Sequence, residues 1–456
     1  MSKHNLFKDF PEVSAKAWKQ KIQFDLKGAD YNETLVWESL EGIKVKPFYH
    51  ADDIDTSKLT DLNTGSWNIG QVIFVGNAAA ANKKAKSALE KGAESIVFII
   101  PTQDTNPKDF LSDLVLEGVT VYFEFQFLSS SYVQELLSFI DDSKANIFLN
   151  IDIIGNLARS GNWYSTLKSD HELLDDIVLN NKNSNLVSVD VSLYQNAGAN
   201  LTQQLAYALA HANEYLNHFN TKEAVPKITF KISVGSNYFF EIAKLRALRL
   251  LWKTLSNEYG IDTDCHILAL PTKRNKTLYD YNVNMLRTTT EAMSACLGGA
   301  NTICNLPYDA IYHKENDFGD RIARNQLLVL KKESYFDVVD NPSDGSYYIE
   351  TLTHQLAEKA LDIFKNIEAN GGFLSQLKAN TIQKKIKESA LKEQELFNTR
   401  KEVLVGTNKY VNDADKMKND LELYPFVKTN PRKTLIEPII EKRLAEELEQ
   451  KRLKDE

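Results

Sequence analysis

The sequence predicts an α/β protein built on a (β/α)8 barrel, or TIM barrel, with an N-terminal arm before it and a C-terminal helical extension after it. Three observations support this fold class. Eight short runs rich in β-branched residues occur between residues 70 and 307, and helix-like segments separate most of them. The runs are apolar throughout, as in a parallel sheet covered on both faces. Eight strand and helix pairs favour a closed barrel over an open doubly wound sheet.

The strands and helices of the barrel follow one another in a regular order. The strand candidates cover residues 70–76, 95–100, 119–125, 146–154, 185–193, 228–234, 264–271 and 300–307. The clearest helical segments cover residues 77–93, 201–219, 238–260 and 281–299. Gly298 and Gly299 predict the end of the last of these helices and the turn into the eighth strand.

Two segments flank the barrel, which we assign to residues 61–340. The arm, residues 1–60, has aromatic residues at no regular spacing, so we expect it to pack on a surface, either its own barrel or a partner chain. Its candidate partner-binding residues are Trp18, Phe24, Tyr31, Trp37, Phe48 and Tyr49. The extension, residues 341–456, begins with an amphipathic helix stopped by Asn370-Gly371-Gly372. We expect residues 439–456 to form a solvated helix that frays.

The composition narrows the possible partners and the compartment. The 456 residues carry a formal net charge of −8 at pH 7, which argues against nucleic acid or an anionic membrane as the main partner. No apolar run approaches the length of about 18 residues that a membrane span needs, and the first residues lack a signal-peptide core. Cys265, Cys296 and Cys304 show no CxxC spacing, which is typical of reduced core cysteines. We therefore expect a soluble cytoplasmic protein.

Motifs for metal, phosphate or nucleophilic chemistry are missing from the sequence. It contains no HxH, HExxH, GxGxxG, GxxxxGK[ST] or GxSxG. Glu124 and Asp152 stand at strand ends, where they could serve as acid and base or be neutralised by backbone donors and basic side chains. His266 lies in a stretch that begins like the cobalt-ligating D-x-H-x-x-G of some cobalamin proteins, but Ala269 replaces the glycine. We therefore expect no metal site.

Several long stretches resemble the methylmalonyl-CoA mutase family. They are residues 287–309, 320–334 and 340–372, supported by residues 24–49, 236–252 and 405–411. The sequence is most similar to the small, or β, subunit of the heterodimeric bacterial enzyme. The resemblance implies adenosylcobalamin-dependent radical interconversion of (R)-methylmalonyl-CoA and succinyl-CoA. It also implies a barrel that encloses the acyl-CoA along its axis, and a C-terminal flavodoxin-like domain that presents the cofactor.

The catalytic residues of the family do not carry over to this sequence. Active subunits have a fifth-strand segment G-Y-H-x-Q-E-A-G-A whose histidine hydrogen-bonds the substrate carbonyl, and aligned on Ala-Gly-Ala it falls on Leu193. A tyrosine and an arginine near a shared tryptophan fall on Leu62 and Gly70, and the glutamine of a Q-T-S-G segment falls on Leu270. Each replacement removes a partner for a substrate oxygen. We expect no catalytic residues and a barrel interior filled by side chains.

These replacements suggest a supporting role. We expect a non-catalytic β subunit whose aromatic arm wraps the barrel of a catalytic α subunit in a heterodimer. The sequence continues for only 46 residues past Tyr410, too few for a cobalamin domain, so we expect this chain to bind no cofactor and adenosylcobalamin to lie in the partner subunit. Two alternatives stay open: an acyl-CoA mutase that works with a separate cobalamin subunit, and a regulatory module that binds acyl-CoA.

Overall fold

A computed structural model describes residues 9–54, 65–140, 143–181, 185–220, 222, 225–261, 263–428 and 431–456. Two short antiparallel strands, β1 (Trp37–Glu38) and β2 (Lys44–Val45), belong to the arm. The barrel strands are β3 (Asn68–Phe74), β4 (Ser95–Ile100), β5 (Thr120–Phe125), β6 (Asn146–Ile151), β7 (Asn185–Asp190), β8 (Lys227–Val234), β9 (His266–Pro271) and β10 (Thr302–Cys304). They are parallel and close between β10 and β3. The predicted (β/α)8 barrel is confirmed.

Helices surround the barrel and form most of the extension. The arm contributes α1 (Ala15–Asp25), α2 (Tyr31–Leu35) and a 3-10 turn (Ala51–Asp53). The helices between the first and last barrel strands are α3 (Ala78–Glu90), α4 (Pro107–Leu111), α5 (Ser130–Ile140), α6 (Ile153–Ser160), α7 (Leu167–Asn180), α8 (Ser192–Asn196), α9 (Leu201–Phe219), α10 (Tyr238–Glu258) and α11 (Val283–Leu297). After β10 follow α12 (Asp317–Leu328), a π-helical turn (Val329–Glu333), α13 (Tyr347–Ala369), α14 (Gly372–Lys378), α15 (Thr381–Asn398) and α16 (Glu446–Asp455).

Alternation along the strands divides the buried side chains into two cores. Outward side chains such as Phe98 and Phe123 stack at 5.8 Å between ring centroids and join the main apolar core under the helices. Inward side chains form a separate cluster inside the barrel. Its members are Val97, Tyr122, Phe148, Leu268 and Cys304, with Val72 and Leu270 packed against them. Among the described residues, no helix has the length and apolar character to cross a bilayer.

The arm divides between residues packed on this chain and residues left exposed. Trp37 packs edge-on against Phe240 of α10 at 5.6 Å, and Tyr49 stacks on Tyr348 of α13 at 5.3 Å. Tyr31 is buried. In α1, by contrast, no residue is buried, and Trp18 is 49% and Phe24 80% exposed. The barrel and extension of this chain therefore contact the second half of the arm without covering all of it, since Trp37 is itself 51% exposed, and they bury no residue of α1.

A non-helical segment of the extension, residues 431–445, crosses the carboxyl end of the barrel, and we call it the strap. Its backbone N–H groups donate to carbonyls of helices and loops that follow barrel strands: Leu435 to Gly161, Ile439 to Ala158, Lys442 to Asn196 and Leu444 to Arg274, at 2.8–3.0 Å. A Cβ on Gly161 would lie 2.8 Å from the carbonyl oxygen of Ile436, so the close approach requires glycine there.

The end of the chain corrects the expected solvated helix over residues 439–456. The helix begins only at Glu446, because backbone N–H groups of the strap before it donate to carbonyls of other elements rather than to carbonyls of the same segment. Glu449 is fully buried, pairs with Arg443 at 2.7 Å and accepts from the backbone N–H of Leu278 at 2.8 Å. The carboxylate of Glu456 accepts from the Tyr279 hydroxyl at 2.6 Å. These contacts hold α16 against the barrel rather than leaving it free in solvent.

Candidate functional site at the carboxyl end of the barrel

A polar cavity lies at the carboxyl ends of the barrel strands, where barrels of this type carry their active sites. It has a wide part of about 520 Å³ and an adjoining small part of about 290 Å³. We call them the wide cavity and the small cavity. Four charged residues line both: Glu124, Arg159, Asp190 and Lys231. Glu441 of the strap lines the wide cavity.

The four charged residues form one ion-pair network. Lys231 Nζ lies 2.7 Å from Glu124 Oε2 and 3.8 Å from Asp190 Oδ2, and Arg159 donates to Asp190 Oδ2 at 2.7 Å. Burial disfavours ionisation of Asp190, but the charges of Lys231 and Arg159 outweigh it and hold the pKa of Asp190 below its usual range. Burial also disfavours a charged Lys231, yet Glu124 and Asp190 raise its pKa. The charge of Asp190 also raises the pKa of Arg159, so Asp190, Lys231 and Arg159 are all ionised at neutral pH.

Glu124 and Asp152, which the sequence suggested as an acid and base pair, have different structural roles. Glu124 belongs to the network, whereas Asp152 caps α6 by accepting from the Gly155 N–H at 2.7 Å. It also accepts from the Tyr215 hydroxyl at 2.7 Å and the Asp190 N–H at 2.9 Å, and lies 2.9 Å from His211 Nε2. Burial opposes ionisation of Asp152, but these partners lower its pKa. Its oxygens are engaged, which favours the structural interpretation over an acid and base pair.

Below the cavity, three stacked rings close the barrel axis, and we call them the plug: Tyr122, Phe148 and His266. Ring centroids lie 4.9 Å apart for Tyr122 and Phe148 and 4.1 Å for Phe148 and His266. The Tyr122 hydroxyl is 2.7 Å from Nε2 of His266 and 2.8 Å from Oγ1 of Thr302. Burial lowers the pKa of His266 to about 3, so its ring is neutral at pH 7. The plug separates the cavity from a shallow depression at the opposite end of the barrel.

The four positions aligned with family catalytic residues lie in different places. Gly70 faces the interior, and a Cβ there would come closer than 3.0 Å to Cys304 Sγ. Leu270 lines the wide cavity. Leu193 is on α8 and belongs to the main apolar core, while Ser192 of the same helix lines the wide cavity. Leu62 lies outside the described residues.

Sequence reasoning missed the residues that dominate the site. Asp190 and Lys231 were readable, because each places a charge at an inward position of an otherwise apolar strand. Arg159 could not be found in the same way, because it lies near the end of a helix, where an arginine is not unusual. The three cysteines are all buried, as expected. In the described part of the chain, no three His, Cys, Asp or Glu side chains converge as a metal site would require.

The closed barrel places this chain in the class of (β/α)8-barrel proteins. Its ligand-sized cavity lies at the carboxyl end of the strands, where enzymes of this class carry their active sites. A family model described as methylmalonyl-CoA mutase matches residues 139–453. The chain belongs to the methylmalonyl-CoA mutase family.

Relatives agree with this assignment. The chain is 36% identical over 452 residues to the methylmalonyl-CoA mutase small subunit of Porphyromonas gingivalis, covering 90% of this chain and 72% of that protein. It is 28% identical to the small subunit of Propionibacterium freudenreichii subsp. shermanii, covering 80% and 63% of the two chains. It is 29% identical to a methylmalonyl-CoA mutase of Cereibacter sphaeroides, covering 86% and 64%. The chain thus spans less than two thirds of the last two relatives.

Proposed function

We propose that this chain is the non-catalytic small, or β, subunit of an adenosylcobalamin-dependent methylmalonyl-CoA mutase. In this proposal a catalytic α subunit interconverts (R)-methylmalonyl-CoA and succinyl-CoA, and this chain stabilises it in a heterodimer. The plug is the single observation that carries the proposal, because it occupies the axis along which the family encloses its acyl-CoA.

The plug would resist displacement by a ligand. Burying a large apolar side chain contributes about 1.5–3 kcal/mol relative to exposing it, and both Tyr122 and Phe148 are buried. The Tyr122 hydroxyl would also lose its contacts with His266 and Thr302. An acyl-CoA chain threaded along the axis would have to offset all of these losses.

The cavity above the plug is poorly suited to an anionic substrate. Six acidic and four basic side chains line the wide cavity. The acidic residues are Glu124, Asp190, Asp309, Glu315, Asp320 and Glu441, and the basic residues are Arg159, Lys231, Lys273 and Lys314. The positions aligned with the family's arginine and glutamine, Gly70 and Leu270, offer no polar side chain. Acyl-CoA phosphates and carboxylates would therefore meet an excess of negative charge.

The cofactor belongs, in this proposal, to the partner subunit. His266 does not fit a cobalt ligand, because its Nε2 lies 2.7 Å from the Tyr122 hydroxyl and its ring borders the depression at the opposite end of the barrel from the cavity.

The exposed half of the arm supplies the proposed contact with the partner. Trp18 and Phe24 of α1 are held only at the surface, with Trp18 edge-on to Phe48 at 6.2 Å. Exposed aromatic side chains are enriched at protein interfaces. We propose that α1 lies on the catalytic subunit while residues from Tyr31 to Tyr49 fasten the arm to this chain.

An activity assay tests the non-catalytic role. The purified chain should show no mutase activity with adenosylcobalamin and succinyl-CoA, and activity should appear only with a catalytic subunit. Turnover by this chain alone would refute the proposal and favour an independently active mutase. Calorimetric titration with succinyl-CoA should give no binding heat, and a saturable heat would favour an acyl-CoA-binding regulatory module.

A co-purification assay tests the arm. Replacing both Trp18→Glu and Phe24→Glu should reduce recovery of the catalytic subunit at least tenfold, which corresponds to about 1.4 kcal/mol. Val115→Glu, at another exposed apolar position, is the matched control and should leave recovery unchanged. Equal recovery with the double variant would show that α1 does not contact the partner.

A further inference from the structure

The small cavity contains buried polar atoms that lack partners. Asn150 stands on β6 between the outward-facing Leu149 and Ile151, so its side chain faces the barrel interior, and it is 8% exposed. Neither Oδ1 nor Nδ2 of its amide has a hydrogen-bond partner among the described residues, and the same holds for Oε1 of Glu124. An unpaired buried polar group costs about 1–3 kcal/mol. The small cavity therefore offers three unpaired polar atoms to a polar molecule that enters it.

The charges around this cavity are separated into two ends. At one end the Arg159 side chain is 49% exposed and directs one N–H bond to Asp190. At the other end Glu124 is held by Lys231 through Oε2, while its Oε1 is buried without a described partner. The contacts from Arg159 through Asp190 and Lys231 to Glu124 set an upper limit of about 9 Å between the Arg159 guanidinium and Glu124 Oε2.

We infer that the small cavity binds a small zwitterionic amino acid. Its carboxylate would accept from the Arg159 guanidinium, and its ammonium group would donate to Glu124 Oε1 and Asn150 Oδ1. A ligand whose two charged groups lie about 3 Å apart, with a hydrogen bond of about 2.8 Å at each end, reaches a length within the upper limit set by those contacts. The volume of about 290 Å³ suits a molecule of this size and is too small for CoA.

Other ligand classes fit this site less well. A simple anion would meet Asp152 and Asp190 as well as Glu124, and a simple cation would meet Lys231 and Arg159, all of which line the small cavity. A zwitterion matches both ends and leaves the balance of the network unchanged. The inference does not rest on the proposed subunit role, because every residue in it belongs to this chain.

Calorimetry and thermal unfolding test the inference on the full chain, alone and in complex with a catalytic subunit. Glycine, L-alanine and β-alanine are the probes, with acetate and methylamine as single-charge comparisons at the same millimolar concentrations. At least one amino acid should bind saturably and raise the unfolding temperature, and the comparison ions should do neither. No effect from any amino acid would overturn the site, and acetate or methylamine binding equally well would overturn the zwitterion class.

Variants separate ligand binding from a structural role. Asn150→Leu should weaken amino acid binding about tenfold or more while leaving stability unchanged or higher, because no partner within the protein is lost. Arg159→Lys keeps a charge for Asp190 but removes the guanidinium, and it should weaken binding as well. Lys314→Met, in the wide cavity only, is the control and should bind normally. Unchanged binding by Asn150→Leu would refute the assigned contacts. Amino acid binding and mutase activity are measured independently, so failure of the amino acid site would not count against the proposed subunit role, nor the reverse.

Discussion

Replacing Gly70 by alanine places a methyl group in space that Cys304 already fills. The added Cβ would lie closer than 3.0 Å to Cys304 Sγ and 3.0 Å from Cγ2 of Thr302. Overpacking of a closed core costs about 1–3 kcal/mol. Cys304→Ala alone removes a buried sulfur and should cost about 1–2 kcal/mol. In the double variant the alanine at position 70 gains the space of the missing sulfur. The loss of unfolding free energy in the double variant should therefore be smaller than the sum of the losses in the two single variants by at least about 1 kcal/mol.

Urea denaturation of the four proteins in this cycle measures the coupling from the midpoints and slopes. Gly76→Ala is the matched control, because its Cβ also approaches a side chain, Phe74, but that ring is exposed and can move. The control should change the free energy of unfolding by less than about 0.5 kcal/mol. Additive costs for Gly70→Ala and Cys304→Ala would refute the packing argument. They would also show that the position aligned with the family arginine still has room for a side chain.

Three further predictions concern buried charges. His266 has a pKa of about 3 in the folded chain, so its stabilising contribution, complete above pH 6.5, is lost as pH falls toward 3. The free energy of unfolding should drop by about 1 kcal/mol per pH unit more in the natural chain than in His266→Gln, measured by urea denaturation from pH 7 to 4. Burial raises the pKa of Asp320 to about 6, so the free energy of unfolding falls as pH rises from about 4, the value expected in the unfolded chain, to about 6. Asp320→Asn should therefore be about 2 kcal/mol more stable than the natural chain at pH 8 and equal to it near pH 4, and a constant difference would contradict this. Arg246 pairs with Glu350, which is 1% exposed, at 2.6 Å. Arg246→Met should cost about 3–5 kcal/mol in denaturation, and adding Glu350→Gln should recover part of that loss.

The sequence predicted the barrel strands well because both sheet faces are buried, so each strand is a continuous apolar run bounded by turns. It extended the fifth strand to residue 193, although β7 ends at Asp190. There the Asp190 side chain accepts from the N–H and hydroxyl of Ser192 and turns the chain into α8. Such a local bond between a side chain and the backbone competes with the strand and leaves the hydrophobic pattern unchanged.

The site was less predictable because its parts come together only when the barrel closes. The plug unites β5, β6 and β9, and Tyr122 meets His266 across 144 positions of sequence. A charged residue in an apolar strand could have drawn attention to Asp190 and Lys231, but neither position indicates which residue it pairs with. Arg159 reaches the network from α6, and its surroundings resemble those of any surface arginine. Pairing across strands depends on register, which one sequence does not supply.

The strap makes chain length matter more than side-chain identity in this part of the molecule. The strap is anchored by backbone N–H groups, those of Leu435, Ile439, Lys442 and Leu444, which donate to backbone carbonyls at the carboxyl end of the barrel. A side-chain substitution leaves such bonds in place, whereas one inserted or deleted residue shifts every later donor away from its acceptor. The strap should therefore tolerate substitutions at its exposed positions but not insertions or deletions between its anchoring residues.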